Sequence, residues 1–208
     1  GRDRRTMRTL LIEPTPSGSA SLARDLGAAG HDVVRCHPAD GPSFPCAGVD
    51  HACPLEDGRP IDVAIAVRDE ARAQPTADEG AVSCAIRAGL PVVVLGPSGA
   101  NPFSAWSEAC HDPADVDDAS ARAIESVAAR RAAPLAAEVE RVIALEGEDV
   151  GDVSVSVVRR GDLAVVTVRT DRALPKRLAG VVATRIHAVD QVGSWPTTKL
   201  SVDFKTAA

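Results

Sequence analysis

Eighteen consecutive residues, CHPADGPSFPCAGVDHAC at 36–53, hold three of the five cysteines and two of the five histidines in a 208-residue chain. Thiolate and imidazole are the donors of tetrahedral zinc sites, and thiolates hold iron–sulfur clusters. The spacing fits no standard finger. Nine residues separate Cys36 from Cys46, six separate Cys46 from Cys53, and there is no CxxC. His37 and His51 add two nitrogen donors, and Cys84 is a further candidate if the fold returns it to the same place. Three readings stay open. Cys36, Cys46, Cys53 and Cys84 can gather around zinc or an iron–sulfur cluster. Two of them can form a disulfide or redox pair. Or they remain unligated thiols, the state favoured by the habit of free cysteine as a small buried hydrophobe.

A second set of residues suggests phosphate binding. Ser17, Gly18 and Ser19 in PTPSGSAS, and Gly96, Ser98 and Gly99 in GPSGANP, are small residues able to offer backbone N–H groups at a helix N-terminus. A nucleotide- or flavin-binding enzyme would use them so. Both stretches lack GxGxxG and the P-loop lysine, and their prolines remove donors, so ordinary turn and capping chemistry also accounts for them. Cys110, His111 and Asp112 are adjacent in sequence, but triads are assembled in space, and no serine sits in a GxSxG elbow. Asp69, Glu70, Asp78 and Glu79 read as solvated or helix-start carboxylates. No complete catalytic motif is present, and no catalytic residue is assigned.

The elements that must position these residues are legible as punctuation and period. LLI in RTLLIE (8–13), HDVVRC (31–36), DVAIAV (62–67) and PVVVLG (91–96) are short apolar runs that suit strands buried on both faces. Between them lie two helical stretches. SGSASLARDLGAAG has Ser17 or Ser19 at its cap and Gly30 at its end, and DEGAVSCAIRAG starts at Thr76–Glu79 and stops at Gly89. Strand, helix, strand, loop, strand, helix, strand predicts an α/β domain over 1–131. Its parallel sheet is Rossmann-like or flavodoxin-like, with four to five strands. Such sheets place ligands at the carboxyl ends of their strands. The connection over 36–60 is too long to be a simple turn and must be functional or fastened, with Phe44 and Leu55 able to fasten it by packing. Trp106 is expected to close the edge of this core.

The outline is also that of a receiver domain, but the residues for phosphoryl transfer are missing. Glu13 stands alone after the first strand, and no lysine occurs before Lys176. Without an acid cluster to hold a metal and a lysine to neutralise charge, that chemistry has no site.

Residues 132–208 have a different grammar. Helical period runs from 114 to about 146, with Pro134 expected to split it into two helices. VSVSVVRRGDLAVVTV then alternates around a turn, as a β-hairpin does. Pro175 opens a helix and TKLSVDFK closes as a strand. This predicts a small α+β domain of helix, hairpin, helix and strand. With VSVSVV, LAVVTVRT and the helix after Pro175 in this order, residues 134–205 resemble the alkaline shock protein family. The resemblance implies a non-catalytic role in protein contacts or self-association.

Composition limits the partners. The net charge of −6 and an aromatic content of 2% argue against nucleic acid, which needs basic footprints and stacking rings. No apolar run approaches a membrane span or a signal-peptide core, so a cytoplasmic protein is expected. Arginine outnumbers lysine 20 to 3, which fits a bacterial chain from a high-GC genome. The leading expectation is a non-enzymatic regulatory or scaffold protein. A metal- or redox-responsive protein using the cysteines is the alternative, and a nucleotide- or flavin-binding enzyme is the third.

Overall fold

The computed structural model describes residues 6–14, 19–38, 41–42, 45–50, 52–193 and 199–207. The chain divides into two compact units, 1–125 and 126–208.

The first unit contains β1 (Arg8–Ile12), α1 (Ala20–Ala28), β2 (Asp32–Arg35), β3 (Val63–Val67), α2 (Gly80–Arg87), β4 (Val92–Leu95) and β5 (Ser107–Cys110). Its sheet has the order β2-β1-β3-β4-β5, and every neighbouring pair is parallel. That is the flavodoxin-like strand order. Alternation along the strands explains the buried apolar runs. Leu10, Ile12, Ala64, Ala66, Val92 and Val94 face one side with Val82 and Ala85 of α2. Leu11, Val63, Ile65, Val93 and Leu95 face the other with Leu22 and Leu26 of α1. Cys36 belongs to the α2 side.

The fifth strand, SEAC, carries no apolar run, because an edge strand needs covering on fewer sides. Trp106, just before it, is 51% exposed and does not close the core; Phe103, at 5%, does so instead. Gly30 and Gly89 end α1 and α2 with φ of 92° and 65°, a backbone conformation open to glycine.

Pro134 does not break the helix. α3 runs unbroken over Val116–Glu146 with the proline inside it. An internal proline costs about 3 kcal/mol through a lost hydrogen bond and a ring clash. Leu135, Val139, Val142 and Ile143 follow it into the core of the second unit. Burial of each contributes roughly 1.5–3 kcal/mol, so packing outweighs the defect. The boundary between units falls after Glu125 rather than near Ala132.

The second unit adds β6 (Val153–Arg160), β7 (Leu163–Thr170), α4 (Lys176–Val192) and β8 (Lys199–Thr206). β6 and β7 form the antiparallel hairpin, turned at Gly161 with φ 63°, and β8 lies parallel to β7. The Arg160-Gly161-Asp162 tripeptide is therefore a hairpin turn. Leu178, Val182 and Ile186, spaced four apart on α4, fill the core under this sheet. Arg131 and Asp190 form a bidentate pair at 2.7 Å for both bonds.

Candidate functional site

The carboxyl ends of the parallel strands gather two groups of residues, the thiols beside β2 and an ion-paired crevice between β1 and β3. Cys36 follows the last residue of β2 and is 7% exposed, in the core against the α2 side. Cys46 packs against that same core, half-buried. A 3-10 turn, Ala47–Asp50, carries the chain from Cys46 toward Cys53. Gly48 in that turn lies over both thiols. A Cβ there would sit 3.3 Å from Cys46 Sγ and 4.0 Å from Cys53 Sγ. Cys84 lies on α2 and accepts a contact from Arg87 Nη2 at 3.4 Å.

Burial, reinforced by charge on Cys53, Cys46 and Cys84, pushes the Cys36 thiol up to about 12 from its ordinary 9.0. Of the four cysteines singled out from the sequence, Cys46 and Cys53 meet about Gly48, and Cys36 lies in the core that Cys46 packs against. They are neighbours and not a closed shell. Among the described residues no group of three or more Cys, His, Asp or Glu side chains stands ready to hold a metal ion. Cys110 belongs elsewhere. It lies on the α1 side of the sheet and donates to the Asp112 carbonyl at 3.1 Å.

The raised Cys36 pKa gives a first prediction. The thiol is neutral in folded and unfolded chains below about pH 9. Between pH 9 and 12 only the unfolded thiol ionises, so this group's contribution to stability is lost as pH rises through that window. Thiolate is also the nucleophile. In the metal-free protein, iodoacetamide at pH 8 should therefore label Cys46, Cys53 and Cys84 well before Cys36, as mass spectrometry of the digests would show. Equal labelling of Cys36 would contradict its placement.

The long connection is fastened at its far end by an unexpected residue. Arg8, 9% exposed on β1, donates to both carboxylate oxygens of Asp57, at 3.0 and 2.5 Å, and its backbone N–H donates to Asp62. The guanidinium holds the Asp57 carboxyl down at about 2. Leu55 packs against the core as expected, while Phe44 lies outside the described residues. Nothing in RTLLIE marks Arg8 as an anchor, because its partner is 49 residues away.

The crevice between β1 and β3 is the topological switch point of the sheet. Glu13, 1% exposed, accepts from Arg35 Nε at 2.5 Å and from the Ser19 backbone N–H at 3.2 Å. Arg68 donates to Glu79 at 2.6 Å, and to the carbonyls of Arg72 and Ala100. Glu79 also closes a capping box with Thr76. The Arg68–Glu79 pair lines a cleft of about 210 Å³ with Pro14, Asp69, Glu70 and Arg72.

Ser17 and Gly18 lie outside the described residues. Ser19 occupies the cap position of α1, but its side chain makes no cap bond, and its N–H is committed to Glu13. Gly96 N–H donates to Cys110, and a Cβ at Gly96 would come within 2.6 Å of the Arg68 carbonyl. Close approach of strand ends is what requires glycine there. Ser98 and Gly99 are exposed. Of the residues singled out for phosphate, the backbone N–H groups of Ser19 and Gly96 are therefore already committed. The Cys110-His111-Asp112 run is likewise used separately, with His111 on the Gly96 carbonyl and Asp112 capping Ala114.

An α/β unit of flavodoxin-like strand order with a thiol group at its sheet end, followed by a small α+β unit, is the class that fold and site define. The chain matches no known family model and no curated protein.

Proposed function

We propose that this is a cytoplasmic, non-enzymatic regulatory protein whose sensing element is a soft-donor site built on Cys36, Cys46, Cys53 and Cys84. The observation that supports the reading is that the Cys46 and Cys53 sulfurs lie 3.3 and 4.0 Å from a Cβ position on Gly48, beside the core that holds Cys36. The four cysteines come from a strand end, a long connection and a separate helix. In a reducing compartment such thiols are kept as metal ligands more often than as permanent disulfides. Zinc or an iron–sulfur cluster is the ligand class. Burial and neighbouring charge make it costly to ionise Cys36 alone, and a cation beside it would reverse that cost. Binding would close the open group into a shell and tighten the connection that carries Cys46 and Cys53.

A second reading has its own support. The Cys46 and Cys53 sulfurs both lie within 4.0 Å of the point above Gly48, which suits a redox pair. Two thiols and a hydroperoxide would give a disulfide, an alcohol and water.

The second unit supplies the output in this account. Its helix, hairpin, helix and strand order matches the layout that resembles the alkaline shock proteins, which supports protein contacts or self-association. Val158, 50% exposed, and Phe204, 37% exposed, lie on the two outer strands of its sheet.

Elemental analysis and an ultraviolet–visible spectrum of anaerobically purified protein test the reading. About one equivalent of zinc, or iron with cluster absorption, is expected. Absence of both metals, with a thiol titre that rises on reduction, would replace the metal site by the disulfide. Absence of both with an unchanged titre would leave neither.

A further inference from the structure

Among the described residues, the outer strands β6 and β8 of the second sheet each pair with β7 alone. An edge strand presents a row of unmatched N–H and C=O groups, and proteins guard such rows with charge, proline or bulges. β8 is guarded, with Lys199, Asp203 and Lys205 exposed along it. β6 is not. Its first six residues, VSVSVV (153–158), contain no charge, proline or glycine, and its register with β7 runs from Val153 to Arg160 without a bulge. That is the composition of a strand that readily takes on another.

Charge begins only at the ends of this run, with Asp152 ahead of the strand and Arg159 and Arg160 at its close. Asp152, Ser154, Ser156, Val158 and Arg160 are all exposed and, because side chains alternate, share the outward face. Val153, Val155 and Val157 turn to the core. Asp152 lies beside a second carboxylate, since its backbone N–H donates to Asp171 at 2.9 Å. Antiparallel pairing of β6 with a second β6 about a two-fold axis at Ser156 sets Asp152 opposite Arg160 of the other copy, and does so twice. It also sets Ser154 opposite Val158 and, on the inner side, Val155 opposite Val157. Registers two residues to either side keep the faces but set Arg160 opposite Ser154, or Asp152 opposite Val158. Opposite charges directly across a strand pair stabilise it and like charges oppose it, so the sequence of β6 selects one self-pairing.

We infer that β6 is a self-association edge: it pairs antiparallel with β6 of a second copy of this chain, joining two three-stranded sheets into one of six strands in a two-fold dimer. The inference rests on the reading of the second unit as the contact module and names its partner. It does not involve the thiols.

The test uses the full-length protein, reduced and metal-free, so that neither a disulfide nor a shared ion links chains. Sedimentation equilibrium of wild type should show a concentration-dependent species of twice the chain mass and none larger. Asp152→Arg sets cation against cation at both ends of the pairing, and Arg160→Asp sets carboxylate against carboxylate. Either should weaken the dimer roughly tenfold or more. Mixing the two variants should restore dimers, because each chain then meets the opposite charge. The double variant Asp152→Arg/Arg160→Asp should dimerise as wild type does. In wild type, amide hydrogen exchange along β6 should slow as protein concentration rises, a measurement that needs no variant. A monomeric wild type would overturn the inference and remove self-association from the account. Dimers indifferent to both charge reversals would overturn the edge and leave self-association standing. Species growing beyond the dimer would mean open-ended pairing of β6 with β8 of the next copy, and would likewise overturn it.

Discussion

Cys84→Ser protein is expected to lose its metal and, with it, the thermal stabilisation that metal gives. Cys84 is the diagnostic residue because, of the proposed donors, it lies outside the connection, on α2. A site made only of local residues would survive its loss, whereas a site assembled by the fold would not. At a free zinc concentration a thousand times its dissociation constant, wild type gains about 4 kcal/mol. For a unit of this size each kcal/mol corresponds to roughly 2–8 °C in melting temperature. Zinc should therefore raise the wild-type melting temperature by roughly 10 °C or more and leave Cys84→Ser nearly unmoved. Cys110→Ser is the control. Its sulfur faces the α1 side of the sheet, so zinc should stabilise that variant as it does wild type. A Cys84→Ser protein that retains full zinc stabilisation would show that α2 takes no part.

The second large effect concerns the crevice and not the thiols. Arg68 and Glu79 are both nearly sealed from water, with side chains 6% and 5% exposed. Removing one partner of a buried pair costs about 3–5 kcal/mol, because the other charge is left uncompensated. Glu79→Ala also removes the capping box with Thr76, so the 3-10 turn Ala77–Glu79 that leads into α2 starts without its reciprocal bonds. The melting temperature of Glu79→Ala should fall by roughly 10 °C or more. The double variant Arg68→Met/Glu79→Leu should fall by less than Glu79→Ala alone, since it leaves no stranded charge. An equal or larger fall in the double variant would mean that the carbonyl bonds of Arg68 to Arg72 and Ala100 matter more than the pair itself.

The strands and helices were readable because their cause is local. LLI, VAIAV and VVVL are apolar on both faces, and a parallel sheet covered on both sides is the simplest structure that buries them. Gly30 and Gly89 mark helix ends because positive φ is costly for other residues. β5 was illegible since an edge strand of Ser, Glu, Ala and Cys has no such pattern. Pro134 misled because its local penalty is set against four buried side chains whose partners lie far along the chain. The prominence of Trp106 misled in the same way, since Phe103 fills the place a large ring was expected to take.

The site was legible in part. That Cys36 and the connection lie at one sheet end follows from topology, and α2 begins at that end because it leaves β3. The tie from Arg8 to Asp57 and the pairing of Glu13 with Arg35 could not be read, because each joins residues far apart in the chain through side chains that look ordinary alone. The same holds for Glu13 beside Ser19. The carboxylate that takes up the Ser19 N–H comes from the end of β1, and nothing in the serine-rich stretch itself announces it.

The central claim is that the four thiols make one metal site. Zinc-edge X-ray absorption on zinc-reconstituted full-length protein tests it most directly. The account predicts one zinc per chain with a dominant sulfur shell at about 2.3 Å, with any nitrogen contribution near 2.0–2.1 Å. A first shell of oxygen and nitrogen alone, or zinc that washes away in buffer, would contradict it.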